Sequence, residues 1–112
     1  MKKTKLGEFE ELVLLAVAAL QEDAYGVEIK RELESHLKTR LSVGSVQSAL
    51  KRMEEKGFLT SEFGEATQVR GGKRKRIYKT TSYAHKILHE MKEVRARLWR
   101  AIPRVAHQLQ VI

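Results

Sequence analysis

The chain has 112 residues, of which 42% are hydrophobic and 32% charged, and its formal net charge is +8. This composition is typical of one soluble globular domain, and the absence of cysteine excludes disulfides, thiolate zinc sites and cysteine nucleophiles and fits a cytoplasmic protein. No apolar run approaches the roughly 20 residues that cross a bilayer, so we expect no membrane span, and the positive charge favours a polyanionic partner such as nucleic acid.

Two helices are predicted at the start of the chain. Apolar residues recur at three- and four-residue spacing from Gly7 to Glu22, which is the period of one helical face. Asp23 is predicted to be the N-cap of a second helix from Ala24 to Lys38, in which apolar residues again fall four apart.

A third helix is predicted to begin after Ser42, a favourable N-cap, and to run to about Lys56. Gly57 follows at the place where a helix commonly ends on a left-handed residue. The apolar residues of this segment predict a buried face, and its polar residues predict an exposed face on the opposite side. The predicted buried residues are Val46, Ala49, Leu50 and Met53.

A basic β-hairpin is predicted after the third helix. The segments 58–63 and 76–80 are β-prone, and the residues between them include three glycines. Positive charge without any acidic residue is concentrated from Gln68 to Lys79, at the tip and second strand of this hairpin. The cations of that stretch are Arg70, Lys73, Arg74, Lys75, Arg76 and Lys79.

A long last helix is predicted to be capped by Thr81 or Ser82, with a kink or an end at Pro103. Its apolar residues form a heptad seam from Ala84 to Val105, and an exposed seam of that length is unfavourable in water. We therefore predict a homodimer that is formed through this helix. The predicted contacts of the dimer are Ile87, Met91, Val94, Leu98, Trp99 and Ile102.

The predicted fold class is mainly α with a small β-hairpin: a winged helix-turn-helix in residues 1–80 and a dimerisation helix in residues 81–112.

Six short motifs in this order carry a resemblance to a known family: LVLL at 12–15, YGVEI at 25–29, LSVGS at 41–45, LKRMEEKG at 50–57, GGKRK at 71–75 and YKTT at 78–81. Over about residues 6 to 100 the chain resembles the PadR family of winged helix-turn-helix transcriptional regulators.

The resemblance implies a homodimeric DNA-binding regulator. The scattered histidines and the absence of phosphate-loop and dinucleotide motifs indicate that the chain is not an enzyme. It also implies repression through a pseudo-palindromic operator, often relieved by a small aromatic or drug-like ligand. The chain departs from the family at Val43, where proline is common, and at Gln47, where tyrosine is common. Because Gln47 lies on the predicted recognition helix, no known operator sequence can be transferred to this chain.

The candidate DNA contacts lie on the third helix and on the wing. The N-terminal part of a recognition helix enters the major groove, where Gln47 can pair with adenine, while cations of a wing bind phosphates or enter the minor groove. The alternatives are an ordinary amphipathic surface helix, a solvated basic tip and, for Tyr25, burial against the first helix. The predicted contacts are Tyr25, Ser45, Gln47, Ser48, Lys51, Arg52, Arg70, Lys73, Arg74, Lys75 and Arg76.

Trp99, the histidine pair and the basic wing each allow a further interpretation. Trp99 either packs in the dimer interface, which we favour, or lines a pocket for a small aromatic ligand. His85 and His89 have the spacing of a metal pair, but no glutamate lies between them in the zincin pattern, so we expect neither a metal nor a cofactor. The alternative function is an RNA- or protein-binding module that uses the basic wing or the long helix.

Overall fold

The computed structural model describes residues 6–64 and 75–103 and has the predicted fold class, four helices with one two-stranded hairpin. The helices are α1 (Glu8–Leu20), α2 (Gly26–Leu37), α3 (Val43–Glu55) and α4 (Ser82–Ala101), the strands are β1 (Leu59–Phe63) and β2 (Arg76–Thr80), and a single 3₁₀ turn (Gln21–Asp23) follows α1.

The core lies where α1 packs against both α2 and α3, with the hairpin closing one side. Leu14, Ile29 and Leu50 are completely buried there, one from each helix. Full burial of such a side chain contributes roughly 1.5–3 kcal/mol, so the three helices form one interdependent unit. The predicted buried face of α3 is confirmed at all four positions: Val46, Ala49, Leu50 and Met53.

The turn between α2 and α3 is held by one carboxylate. Glu34 Oε2 accepts hydrogen bonds from the backbone N–H of Leu41 and from Lys30 Nζ, each at 2.9 Å. The Leu41 bond, followed by the Lys30 bond, lowers the pKa of Glu34. Ser42 then caps α3 as predicted, because its Oγ accepts from the Ser45 N–H at 3.0 Å.

The start of α2 differs from the prediction. Tyr25, not Asp23, is the N-cap, and Asp23 is the last residue of the 3₁₀ turn. The cause is the hairpin: Tyr78 N–H donates to the Ala24 carbonyl at 3.0 Å, and Tyr25 forms an isolated antiparallel bridge with Ile77. This pairing holds Tyr25 in an extended conformation, so α2 can begin only at Gly26.

The hairpin has a regular antiparallel register, from Leu59 opposite Thr80 to Phe63 opposite Arg76. Gly57, with φ of 84°, ends α3 in the left-handed region as predicted. The predicted wing-tip contacts Arg70, Lys73 and Arg74 lie outside the described residues.

Helix α4 begins as predicted at a threonine cap, since Thr81 Oγ1 accepts from the Ala84 N–H at 3.1 Å. It ends at Ala101, and Ile102 is extended, as expected for a residue that precedes proline. Ala84 and Ile87 are buried against the domain, whereas Leu98 and Trp99 are 64% and 53% exposed. No described helix is both long enough and apolar enough to span a membrane.

Candidate nucleic-acid interface

A polar groove runs between α3 and β2. It consists of two adjoining concavities, of about 450 and 280 Å³, that share Gln47, Arg76 and Tyr78. We call it the helix–wing groove. One concavity extends to Ser48, Lys51 and Glu54, and the other extends to Tyr25, Gly26, Val27 and Lys75.

The exposed side of α3 supplies one wall of this groove. Gln47, Ser48 and Lys51 are all exposed, because Val46 and Leu50 turn the opposite side of the helix into the core. Ser45 is also exposed, but its hydroxyl donates to the Ser42 carbonyl at 2.9 Å and so belongs to the first turn of the helix. Three of the predicted recognition side chains therefore line one continuous surface.

Arg52 points to the other flank of α3, away from the groove. Its Nε donates to Glu10 Oε2 at 2.8 Å, and Lys56 Nζ lies 3.1 Å from Glu10 Oε1. Glu10 is only 6% exposed and is also bound by the backbone N–H of Gly7 at 3.0 Å. Burial raises the pKa of Glu10, but the hydrogen bonds from Arg52, Gly7 and Lys56 outweigh it and lower the pKa to about 2.

Arg76 is held in place on the wing by two contacts. Its guanidinium lies 4.4 Å from the centre of the Phe63 ring, the residue opposite it in the hairpin register. Its Nη1 donates to Ser61 Oγ at 2.8 Å, and Ser61 Oγ donates to Glu54 Oε2 at 2.8 Å. Ser61, Phe63 and Glu54 were not predicted from the sequence, although strand alternation places Ser61 and Phe63 on one face.

Tyr25 and Lys75 are brought together at the mouth of the groove. Lys75 Nζ lies 5.6 Å from the centre of the Tyr25 ring, within the range of a cation–π contact. Tyr25 is partly exposed, so it is not fully buried against α1. Tyr78, also missed from the sequence, is a buried floor residue, and burial raises the pKa of its phenol.

A second groove, of about 570 Å³, lies between α1 and α4. Trp99 lines it beside Leu15 and Leu88, and Arg95 crosses from α4 to bind the buried Glu11 carboxylate. His85 and His89 also line it, but no group of three or more metal-ligating side chains occurs among residues 6–64 and 75–103. Of the predicted dimer residues, Ile87 is buried within the chain, while Met91, Val94 and Ile102 are partly exposed.

Comparisons with known proteins agree with this architecture. The model of the Transcriptional regulator PadR-like family matches residues 14–92. No curated protein is significantly similar to the chain.

Several solved structures share the fold. A PadR family regulator from Clostridium difficile R20291 is 30% identical with a TM-score of 0.63, over 93% of this chain and 99% of that one. A PadR-like factor from Bacteroides fragilis is 22% identical with a TM-score of 0.72, over 88% and 89% of the two chains. Bacillus subtilis PadR in complex with operator DNA is 20% identical with a TM-score of 0.58, over 74% of this chain and 45% of that one.

The matched segment covers most of the chain, including α2, α3 and the hairpin. The proteins matched are transcriptional regulators and not enzymes, in agreement with the prediction from the sequence. The chain belongs to the PadR-like family of transcriptional regulators.

Proposed function

We propose that the chain is a sequence-specific DNA-binding regulator that acts as a homodimer on a pseudo-palindromic operator in the cytoplasm. The observation that carries the proposal is the helix–wing groove. It combines a base-reading amide on α3, Gln47, with cations on the wing, Lys75 and Arg76. The operator complex of Bacillus subtilis PadR, which has a similar fold, supports this choice of partner.

The two walls of the groove would make different contributions to binding. Contacts to phosphates give affinity without sequence preference, whereas contacts to base edges give preference. Lys51, Lys75 and Arg76 are exposed cations for phosphates, and the Gln47 amide can donate to and accept from adenine at the same time. Ser48 lines the same groove, and its hydroxyl can contact either a base or a phosphate. Arg52 is committed to Glu10 and is left out of this proposal.

The test separates the two walls. A selected operator and a scrambled duplex are titrated at several salt concentrations with Gln47→Ala, Lys75→Ala and Lys79→Ala. Each neutralised phosphate contributes about 0.9 to the slope of log affinity against log salt, so Lys75→Ala should weaken binding to both duplexes and flatten the slope. Gln47→Ala should keep the slope and lose roughly 1–3 kcal/mol of preference at one base position.

Lys79→Ala is the matched control, because Lys79 is a lysine of the same wing, on β2, but lines the opposite face with Ile77 and not the helix–wing groove. It should change the slope less than Lys75→Ala does. If Lys75→Ala and Lys79→Ala flatten the salt slope equally, the helix–wing groove is not a preferred site for phosphates. A Gln47→Ala variant that loses affinity equally for both duplexes would show that α3 does not read bases.

The same titration addresses the alternative of an RNA-binding module. The major groove of duplex RNA is too narrow for a helix such as α3 to enter. We therefore expect duplex RNA of the operator sequence to bind no better than scrambled DNA. Tight binding of duplex RNA would favour the alternative function.

The dimer part of the proposal assigns residues 81–112 to dimerisation and residues 1–80 to DNA binding. It is supported by the exposure of Leu98 and Trp99 on a helix whose first half already packs against α1.

The repressor role rests on the resemblance to the PadR family. Its test is a reporter gene behind the selected operator, whose expression should rise when the gene for this protein is deleted.

We also propose that the groove between α1 and α4 can accept a planar aromatic ligand. Its volume of about 570 Å³ lies in the usual range of ligand pockets, and Leu15, Leu88 and Trp99 give it apolar walls. Such a ligand should quench Trp99 fluorescence with saturation and weaken operator binding. A screen of planar aromatic compounds that gives neither effect would leave Trp99 as a packing residue of the dimer.

A further inference from the structure

Gly26, the first residue of α2, lies against the side chain that is proposed to read a base. A Cβ atom added at position 26 would lie 2.8 Å from the terminal amide nitrogen of Gln47 and 3.9 Å from its Cδ. Ordinary contacts of a Cβ atom fall at 3.4–4 Å, and below 3.0 Å something must shift. The Gln47 amide therefore occupies space that any residue other than glycine would fill at position 26.

The backbone itself does not require glycine at this position. Gly26 is the first residue of a regular helix after an extended N-cap, and Gly57 is the glycine that has a positive φ among those described. Alanine is the better helix former, and the atom it would meet is the far end of a flexible side chain, not backbone. Alanine at position 26 should therefore preserve the fold and displace the Gln47 amide.

The contact is selective for this one side chain. Apart from its two chain neighbours and the nearby backbone of α2, Gln47 is the only described residue with an atom within 4 Å of the added Cβ. Gln47 and Gly26 both line the smaller concavity of the helix–wing groove, so a displaced amide moves within the proposed interface. The displaced amide would move away from the added Cβ of residue 26.

We propose that Gly26 is a positioning residue for DNA recognition: the absence of a side chain at the start of α2 sets the direction of the Gln47 amide and thereby the base preference of α3. This inference rests on the proposed function, in which Gln47 reads a base. An amide pairs with adenine through two atoms at once, so a displacement removes discrimination and leaves the attraction to phosphates unchanged.

The test is the base preference of Gly26→Ala, measured with operator duplexes that carry each base at each position. We expect a change of about tenfold at a single position, the same position that changes in Gln47→Ala. Affinity for a scrambled duplex and the salt slope should match the wild type. Gly26→Ser adds the same Cβ and serves as a second variant, and circular-dichroism melting verifies that each variant is folded.

Two further variants make the result specific. In Gly26→Ala combined with Gln47→Ala, the preference should equal that of Gln47→Ala alone, because no amide remains to be displaced. Gly7→Ala is the matched control at the start of another helix, where the nearest atom to the added Cβ is Glu10 Oε1 at 3.8 Å. It should keep the wild-type preference.

The outcomes separate this inference from the proposed function. If Gln47→Ala changes the preference but both Gly26 variants do not, the inference is wrong and the proposed function stands. An additional loss in the double variant would also overturn the inference, because Gly26 would then act through another group. If Gln47→Ala itself leaves the base preference unchanged, the assignment of base reading to Gln47 is wrong.

Discussion

Glu10 is a buried carboxylate that joins α1 to two cations, Arg52 on α3 and Lys56 at its C-cap. Its pKa is about 2 in the folded protein against 4.5 for the free side chain. Because the folded pKa is the lower one, the ionised carboxylate stabilises the fold above pH 4.5, and this contribution is lost as the pH falls from 4.5 to 2. Its size at neutral pH is on the order of 3 kcal/mol.

Glu10→Gln should therefore lower the free energy of unfolding by a few kcal/mol at pH 7 and by progressively less below pH 4.5. Urea unfolding at a series of pH values measures the difference between variant and wild type. Glu8→Gln, in the same turn but exposed, is the control and should have a small effect at every pH. A Glu10→Gln difference that stays constant from pH 7 to about pH 2 would contradict the assignment.

Lys38 is the left-handed C-cap of α2, with φ of 56° and ψ of 39°. This conformation costs a non-glycine residue roughly 1–2 kcal/mol, and glycine adopts it freely but loses more entropy on folding. Lys38→Gly should raise the free energy of unfolding by about 0.5–1 kcal/mol. Thr39→Gly, at a neighbouring position without positive φ, should be neutral or destabilising in the same denaturation experiment.

Residues with a local signature could be predicted from the sequence, and residues set by distant partners could not. Ser42 and Gly57 were predicted, and Thr81 was one of two predicted caps, because capping preferences depend on the adjacent turn. Arg52 was predicted as a phosphate contact because its helical position is polar, yet its partner Glu10 lies 42 residues away. No periodicity in the sequence carries such a pairing.

At the scale of elements, the existence of α1 and α2 could be predicted from local sequence, but the boundary between them is set by a distant partner. The helical periods predicted that both helices exist, but the stretch from Gln21 to Tyr25 is shaped by contact with β2. The groove could be predicted only as two separate polar segments. Its two concavities meet at Gln47, Arg76 and Tyr78, and Tyr78 carries no charge and so gives no signal of binding in the sequence.

The exposed seam of helix α4 provides a test of the proposed homodimer. Leu98 is 64% exposed on the heptad seam, so in a dimer it would face the same seam of the second copy. Leu98→Glu would place two carboxylates in that interface, where uncompensated charges are costly, and should convert the dimer to a monomer at micromolar concentration. Sedimentation velocity measures this change.

The matched control for Leu98→Glu is Arg100→Glu on the same exposed half of α4. Arg100 lies outside the heptad seam, so the dimer should persist although the change in charge is larger. A wild-type protein that sediments as a monomer at micromolar concentration would remove the homodimer from the proposal.

At the scale of the whole molecule, two recognition helices related by a twofold axis should read two half-sites. Successive major grooves on one face of DNA are separated by about 34 Å, or about 10 base pairs. Insertion of about five base pairs between the half-sites turns them to opposite faces of the duplex and should reduce the affinity to that of one half-site. Insertion of about ten base pairs returns the half-sites to the same face of the duplex and should restore the affinity. An affinity that does not depend on the length of the insertion would mean that each copy binds alone.

The hydrogen bond from Tyr78 to Ala24, which delays the start of α2, also has a consequence for the order of folding. Contacts inside helices close short loops, whereas this contact joins the first third of the chain to its last third and closes a long one. The wing should therefore dock after α1, α2 and α3 have assembled. In pulsed hydrogen exchange during refolding, the Tyr78 amide should become protected later than the amide of Leu50 in the middle of α3, so that the helix–wing groove forms only after its α3 wall is in place.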